Sequence, residues 1–311
     1  MFPRSIPIIP VSTTGVELCL NRSADASFSM THSRDSAMNA MVPFNDIASG
    51  FKLRLLSYNI QVGISAAGFR DYVLHGWKHI LPCPQRLKNL HRIARVIRDF
   101  DVVGLQELDS GSLRSGFINH AEYLAREAEF PHWFDKTNRK LWKVARHSMG
   151  LLSKYAPISI SRHDLPARVP GRGALIVCFG NPEDPLVLVL VHLSLSRSAR
   201  CFQMEYLGEL VRGYNHVILM GDLNSGAESL ELSRFLRETN LRMPYSNLFT
   251  YPSWKPRKHL DHILVSPSIR IDSVKVLNYP LSDHLPITME VSLPEDVMMP
   301  GSGANRKNLA A

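Results

Sequence analysis

His216-Val217-Ile218-Leu219-Met220-Gly221-Asp222-Leu223-Asn224 is the stretch on which the fold turns. Its apolar run is too short for a helix and ends at a turn-forming glycine, so it reads as a buried strand over His216–Met220. Two polar side chains, Asp222 and Asn224, follow the strand closely. The same arrangement recurs along the chain. Asn59 closes Leu53-Arg54-Leu55-Leu56-Ser57-Tyr58, Glu107 closes Val102-Val103-Gly104-Leu105-Gln106, and His192 follows Leu186-Val187-Leu188-Val189-Leu190-Val191. Asp261 opens Ile263-Leu264-Val265, and Asp283-His284 precedes Leu285-Pro286-Ile287. Eight polar residues of useful chemistry thus stand beside six strands, and strand ends are where open α/β sheets place their ligands. Each one alone has a plain structural explanation as a turn, cap or satisfied buried group.

Outward from these strands the pattern alternates. Apolar residues recur at helical spacing in Gln85–Asp99, and Phe117–Glu129, Ala199–Arg212 and Leu230–Glu238 also read as helices. Further strands are expected at Ser148–Ser153, Ile158–Arg162, Arg172–Phe179, Ile271–Leu277 and Pro286–Leu293. The mixture of strand–helix–strand units with consecutive strands predicts a helix-flanked α/β or α+β body with two sheets. That body spans 51–293. Residues 1–50 lack sustained periodicity and are expected to be poorly ordered, with translation starting at Met30, Met38 or Met41 as a hypothesis. Residues 294–311 are expected to form a frayed tail.

With 311 residues, 45% of them apolar and 21% charged, the chain can bury a sizeable core, which argues against wholesale disorder. Its longest apolar stretch is far short of the ~20 residues a membrane helix needs. Pro7 and Pro10 interrupt the short apolar piece after Arg4, against a secretory signal. The four cysteines (Cys19, Cys83, Cys178, Cys201) form no CxxC pair, so a reducing, cytoplasmic setting is the simpler expectation. The formal charge of +8 is concentrated in the body, where basic residues outnumber acidic ones by nine. An anionic partner fits such a body, and so does ordinary solvated surface charge.

Taken in order, Ser57-Tyr58-Asn59-Ile60, Gln106-Glu107, Val191-His192-Leu193, Gly221-Asp222-Leu223-Asn224, Leu260-Asp261-His262-Ile263 and Ser282-Asp283-His284-Leu285-Pro286 resemble the endonuclease/exonuclease/phosphatase superfamily. That group includes DNase I-like nucleases, abasic-site endonucleases, inositol-polyphosphate 5-phosphatases and neutral sphingomyelinases. The likeness covers about residues 52–293. It implies an α+β fold of DNase I type, a four-layer α/β/β/α sandwich with two packed mixed sheets. It also implies metal-dependent phosphoester hydrolysis. By this resemblance Glu107, with Asn59 and Asp283, holds the metal. His284 is the catalytic histidine beside the scissile phosphate, and Asp261 orients it. Asp222 positions or deprotonates the attacking water, Asn224 donates to the phosphoryl oxygens, and His192 stabilises the transition state.

The chemistry is coherent with these residue types. A phosphodiester repels hydroxide, so catalysis needs a cation, a base and donors for the developing charge. Hard oxygen ligands suit Mg²⁺, with Mn²⁺ as a substitute. Either His284 or Asp222 could serve as base. Gln61 stands where the abasic-site branch places an aspartate, which with His192 puts the site nearer the DNase and sphingomyelinase side. Arg172-Gly173-Ala174-Leu175, together with Arg200 and Gln203, is similar to a bacterial branch related to sphingomyelinases and lipid-anchor remodelling proteins. Arg139 and Lys143, in the basic segment Asp135–His147 that also carries Trp142, are candidates for binding phosphates or a headgroup. The insertion Val62–Pro84, carrying Phe69, Tyr72 and Trp77, is read as a lid, a peripheral membrane contact or loop packing. Substrates compatible with the set are a phospholipid headgroup, a nucleic acid or a phosphorylated small molecule, acted on by a monomer. A nuclease and a catalytically inactive phosphate- or partner-binding scaffold are the alternatives. A serine hydrolase fits poorly because no GxSxG occurs. A zinc site at His259 and His262 lacks thiolates.

Overall fold

The computed structural model describes residues 50–63, 84–141, 145–168, 170–244, 247–297 and 299. Among the described residues eleven strands form two mixed sheets. The first runs β10(Arg270–Val276)-β11(Ile287–Ser292)-β1(Lys52–Asn59)-β2(Val102–Asp109)-β4(Ala145–Ser153)-β3(His132–Leu141). The second runs β5(Ser159–Asp164)-β6(Gly173–Gly180)-β7(Pro185–His192)-β8(His216–Asp222)-β9(Asp261–Val265). Helices α1(Pro84–Ile97) and α2(His120–Glu127) cover one outer face, and α3(Arg197–Val211) and α4(Leu230–Thr239) cover the other.

Strand period explains the layers. Leu53 and Leu55 of β1 point between the sheets, where they meet Leu186, Leu188 and Leu190 of β7 and Met220 of β8. Leu56 and Tyr58 point the opposite way, onto Leu90, Ile93 and Ile97 of α1. On the second sheet Val187, Val189 and Val191 turn outward to Met204 and Leu207 of α3. Both faces of β7, and of β1 beyond Arg54, are therefore buried, and this is why those stretches read as apolar runs. The sheets approach closely at Gly104, where a Cβ would lie 2.6 Å from Leu190 Cδ1 and 2.8 Å from Met220 Cε.

β3 departs from the expected strands. It is an edge strand of mostly half-buried polar residues, His132-Trp133-Phe134-Asp135-Lys136-Thr137-Asn138-Arg139. Cross-strand pairing with β4 holds it, so hydrophobic period has little to show there. α2 is shorter than Phe117–Glu129 because Asn119 caps it, its side chain accepting from the Ala121 and Glu122 amides. Val297 and Met299, assigned by sequence to the frayed tail, are buried in the inter-sheet core. The expected disordered segment 1–50 falls outside the described residues but for Gly50, and so do Phe69, Tyr72, Trp77, Trp142 and Lys143.

Candidate active site

Register assembles the site. β1 and β2 run parallel, as do β7 and β8, so both pairs deliver their C-terminal ends to one edge of the sandwich. Asn59 pairs with Gln106 across β1 and β2. His192 pairs with Asp222 across β7 and β8, and Asp222 with Asp261 across β8 and β9. Asp283 and His284 arrive on the segment that enters β11, antiparallel to β1. Gly221, at φ 145°, lets β8 pass the Val191 carbonyl, into which a Cβ would run.

Glu107 sits on a bulge between Leu105 and Leu108, with φ 54°. A non-glycine residue there carries strain, and a bulge re-aims a side chain. The carboxylate reaches Asn59, whose Nδ2 donates to Glu107 Oε1 at 3.3 Å and to Asp222 Oδ2 at 3.1 Å. One amide thereby ties a carboxylate of the first sheet to one of the second. His192 Nε2 lies 3.5 Å from Asp222 Oδ2 and 3.9 Å from Glu107 Oε1. Asp222 Oδ1 accepts from the Asn224 amide at 2.9 Å, and the Asn224 side chain donates to the Leu193 carbonyl at 2.9 Å.

His284 Nδ1 lies 2.7 Å from Asp261 Oδ2, which also accepts from Thr250 Oγ1. Nδ1–H therefore points to Asp261, and Nε2 faces Asp222 Oδ2 at 3.9 Å. Tyr251 lies against the His284 ring, with centroids 4.9 Å apart. Burial alone would lower His284. The Asp261 charge and hydrogen bond, with Asp222 and Asp283, outweigh it and raise the group to about 10. Burial also pushes the Asp222 carboxyl well up, despite His284. Asp283 rises to about 6, from burial and from the nearby Glu107 charge. Buried carboxyls held up in this way are crowded and lack positive charge.

Sequence reasoning missed Arg172 as a site residue. Its Nη1 lies 2.8 Å from His192 Nδ1 and 2.6 Å from Nε2, so the guanidinium presses against the ring. Burial holds the His192 imidazole well below its ordinary value, and Arg172, His284 and His147 push it further. His192 is therefore neutral near pH 7. Thr250 and Tyr251 were missed too, since no motif marks a residue that reaches the site from a loop.

Glu107, His192 and Arg172 open into a cavity of about 860 Å³. Arg139, Arg168 and His147 line it on one side, and Leu195, Ala199 and Phe202 on another. Among the described residues Glu107 is its one acidic lining residue. Of the ten residues expected from sequence, eight thus lie together, Arg139 lines the adjoining cavity, and Lys143 is outside the described residues.

The model of the endonuclease/exonuclease/phosphatase family matches residues 56–284. The chain belongs to this family. It is a family of phosphoester hydrolases, whose members generally use divalent metals. No curated protein matches the sequence. Among solved structures, an endonuclease/exonuclease/phosphatase family protein from Bacteroides thetaiotaomicron shares 18% identity at a TM-score of 0.61, covering 79% of this chain and 99% of that one. A mannosyl-6-phosphatase from the same species shares 18% identity at a TM-score of 0.58, covering 78% and 100%. ANGEL2, a 2′,3′-cyclic phosphatase, shares 13% identity at a TM-score of 0.59, covering 79% and 96%. At these identities the likeness establishes the DNase I-like fold.

The donor set fits a hard divalent cation. Asp222, Asp261 and Asp283 surround His284, which is paired to Asp261, and Glu107 lies near Asp283 and His192. The Asn59 amide bridges two of these carboxylates, and Glu107 is half-open to the cavity.

Proposed function

We propose that this protein is a phosphodiesterase dependent on Mg²⁺, with Mn²⁺ as a substitute. Glu107, Asn59 and Asp283 would hold the ion, which supplies charge neutralisation at the phosphoryl oxygens. Asp222 and the His284–Asp261 pair are left to orient water and handle its proton. Neutral His192, the Arg172 guanidinium and the Asn224 amide are the donors for charge developing on the phosphate. The observation that carries this reading is the His284–Asp261 pair, at 2.7 Å, facing Asp222, which the Asn59 amide ties to Glu107 at the edge of a cavity.

The cavity also bears on substrate. Arg139 and Arg168 line it with no ion pair or hydrogen bond to another side chain among the described residues. Beside them, Leu195 is 76% exposed. This lining suits a compact phosphoester with anionic and apolar parts beyond the reacting group, such as a lipid headgroup or a phosphorylated small molecule. A nucleic acid remains the alternative substrate. The intact acid and histidine set speaks against an inactive scaffold. Cys178 is a free thiol buried in the core, which suits a cytoplasmic enzyme. The action of a monomer, and any peripheral contact with membranes, stand as part of this proposal.

Purified protein should hydrolyse bis-p-nitrophenyl phosphate with Mg²⁺, and EDTA should abolish turnover. Glu107→Ala, Asp222→Ala and His284→Ala should each lower the rate on the order of 10²-fold or more. Unchanged rates in all three would remove the mechanism. Plasmid DNA, RNA, sphingomyelin and inositol phosphates, run side by side, sort the substrate classes.

A further inference from the structure

At the opposite end of β7 and β8 lies a second cluster. The register pairs Leu186 with His216 there, and His192 with Asp222 at the active-site end. Six residues of strand separate the two ends, about 20 Å. His216 is 4% exposed. Its Nε2 lies 3.2 Å from Asp184 Oδ2, in the turn between β6 and β7, and 3.8 Å from Asp296 Oδ2, just beyond β11.

Hydrogen bonds hold both edges of this ring. Ser268 Oγ donates its one proton to the Asn215 carbonyl at 2.9 Å. The same oxygen lies 3.0 Å from His216 Nδ1. It lies 3.0 Å from Ser266 Oγ as well, and Nε2 is within hydrogen-bond distance of Asp184 Oδ2 at 3.2 Å, so the ring is held at both nitrogens. With the N–H on Nδ1, the ring would turn its Nε2 lone pair toward two carboxylate oxygens. Such an arrangement needs positive charge at its centre, either a second proton or a cation. A proton would leave two carboxylates facing one charge, whereas a divalent ion neutralises both. Ligands bound tetrahedrally at ~2.0–2.2 Å stand roughly 3.3–3.6 Å apart. The two nitrogen–oxygen separations straddle that range, and all three ligand atoms lie within 4.8 Å of one another. Asn215 Nδ2 donates to both oxygens of Asp184, at 3.1 and 3.3 Å, and so orients it.

The geometry points to a divalent-cation site formed by Asp184, His216 and Asp296. One imidazole nitrogen with two carboxylates suits Zn²⁺, or Mn²⁺, better than Mg²⁺. Its role is structural. It joins the turn before β7 and the start of β8 to the segment after β11, whose Val297 and Met299 are buried in the core. This site is independent of the proposed hydrolase centre.

The test separates the two centres by metal content. Protein carrying Glu107→Ala and Asp283→Ala is loaded with Zn²⁺, desalted and measured by mass spectrometry, and its Tm is read with and without Zn²⁺. About one tightly held equivalent and a rise in Tm are expected. Adding Asp296→Asn, at a position 66% exposed, should remove both, and His216→Gln should do the same. The same content and the same shift after Asp296→Asn would overturn the site, as would no retained Zn²⁺ or Mn²⁺ in the starting variant.

Discussion

Arg172 shows how a site residue escapes motif reading. The segment Arg172-Gly173-Ala174-Leu175 stands out only by a family likeness that gives Arg172 no role, because that role comes from β6 lying beside β7, with Gly173 opposite His192. His192, Asp222, Asp261 and His284 were legible because each follows or precedes an apolar strand, and strand ends converge in this class of fold. The bulge at Glu107 was not legible, since only the pairing with β4 reveals it. The guanidinium against His192 leads to a prediction. Arg172→Gln should lower kcat/KM on the order of 10–10²-fold, equivalent to about 1.4–2.7 kcal/mol. Most of the loss should fall on kcat, since the group acts on developing charge. Arg172→Lys should not restore it, because an ammonium cannot lie flat on the ring and donate from a planar fork. Steady-state kinetics of the two variants would decide, and a wild-type kcat in Arg172→Gln would rule the role out.

At the scale of elements, the connection after β2 is held by a buried network. Asp109 accepts from Arg114 Nε and from the Ser112 hydroxyl and amide, and Ser115 Oγ donates to it as well. Burial would raise this carboxyl, but the hydrogen bonds and the Arg114 charge prevail and hold it at about 2. Arg114 Nη1 also approaches His147, which lines the active-site cavity. Because the folded-state value is depressed, the contribution is full above the unfolded value near 4. It is lost as pH falls toward 2. Wild type should therefore exceed Asp109→Asn in stability at pH 7, with the gap closing between about pH 4 and 2. Arg114→Ala, which strands a buried carboxylate, should cost roughly 3–5 kcal/mol at pH 7. Urea unfolding across that pH range would check both, and a gap that stays constant with pH would refute the first. Hydrophobic period located ten of the eleven strands and failed at β3. There the buried partner is another strand, not a core.

For the whole molecule, the decisive fact is that neither sheet owns the site. Asn59, Glu107 and His284 come with the first sheet, and His192, Asp222 and Asp261 with the second. Folding must therefore bring carboxylates from both sheets together against their repulsion, and burial raises Asp222 and Asp283 further. The Asn59 amide offsets part of this, and a bound cation would offset much more. Anything that binds only the folded state stabilises it by mass action, by about 2.7 kcal/mol at a hundredfold excess over Kd. Mg²⁺ should thus raise the Tm of the wild-type protein by several degrees, using the rough scale of 2–4 °C per kcal/mol for domains of this size. Glu107→Ala should lose that shift, yet its Tm without metal should equal or exceed that of wild type, because one of the crowded charges is gone. Differential scanning calorimetry with and without Mg²⁺ reads both quantities. A Mg²⁺ shift undiminished in Glu107→Ala would mean that the cation binds elsewhere, and the metal centre drawn here would have to be given up even if the enzyme were active.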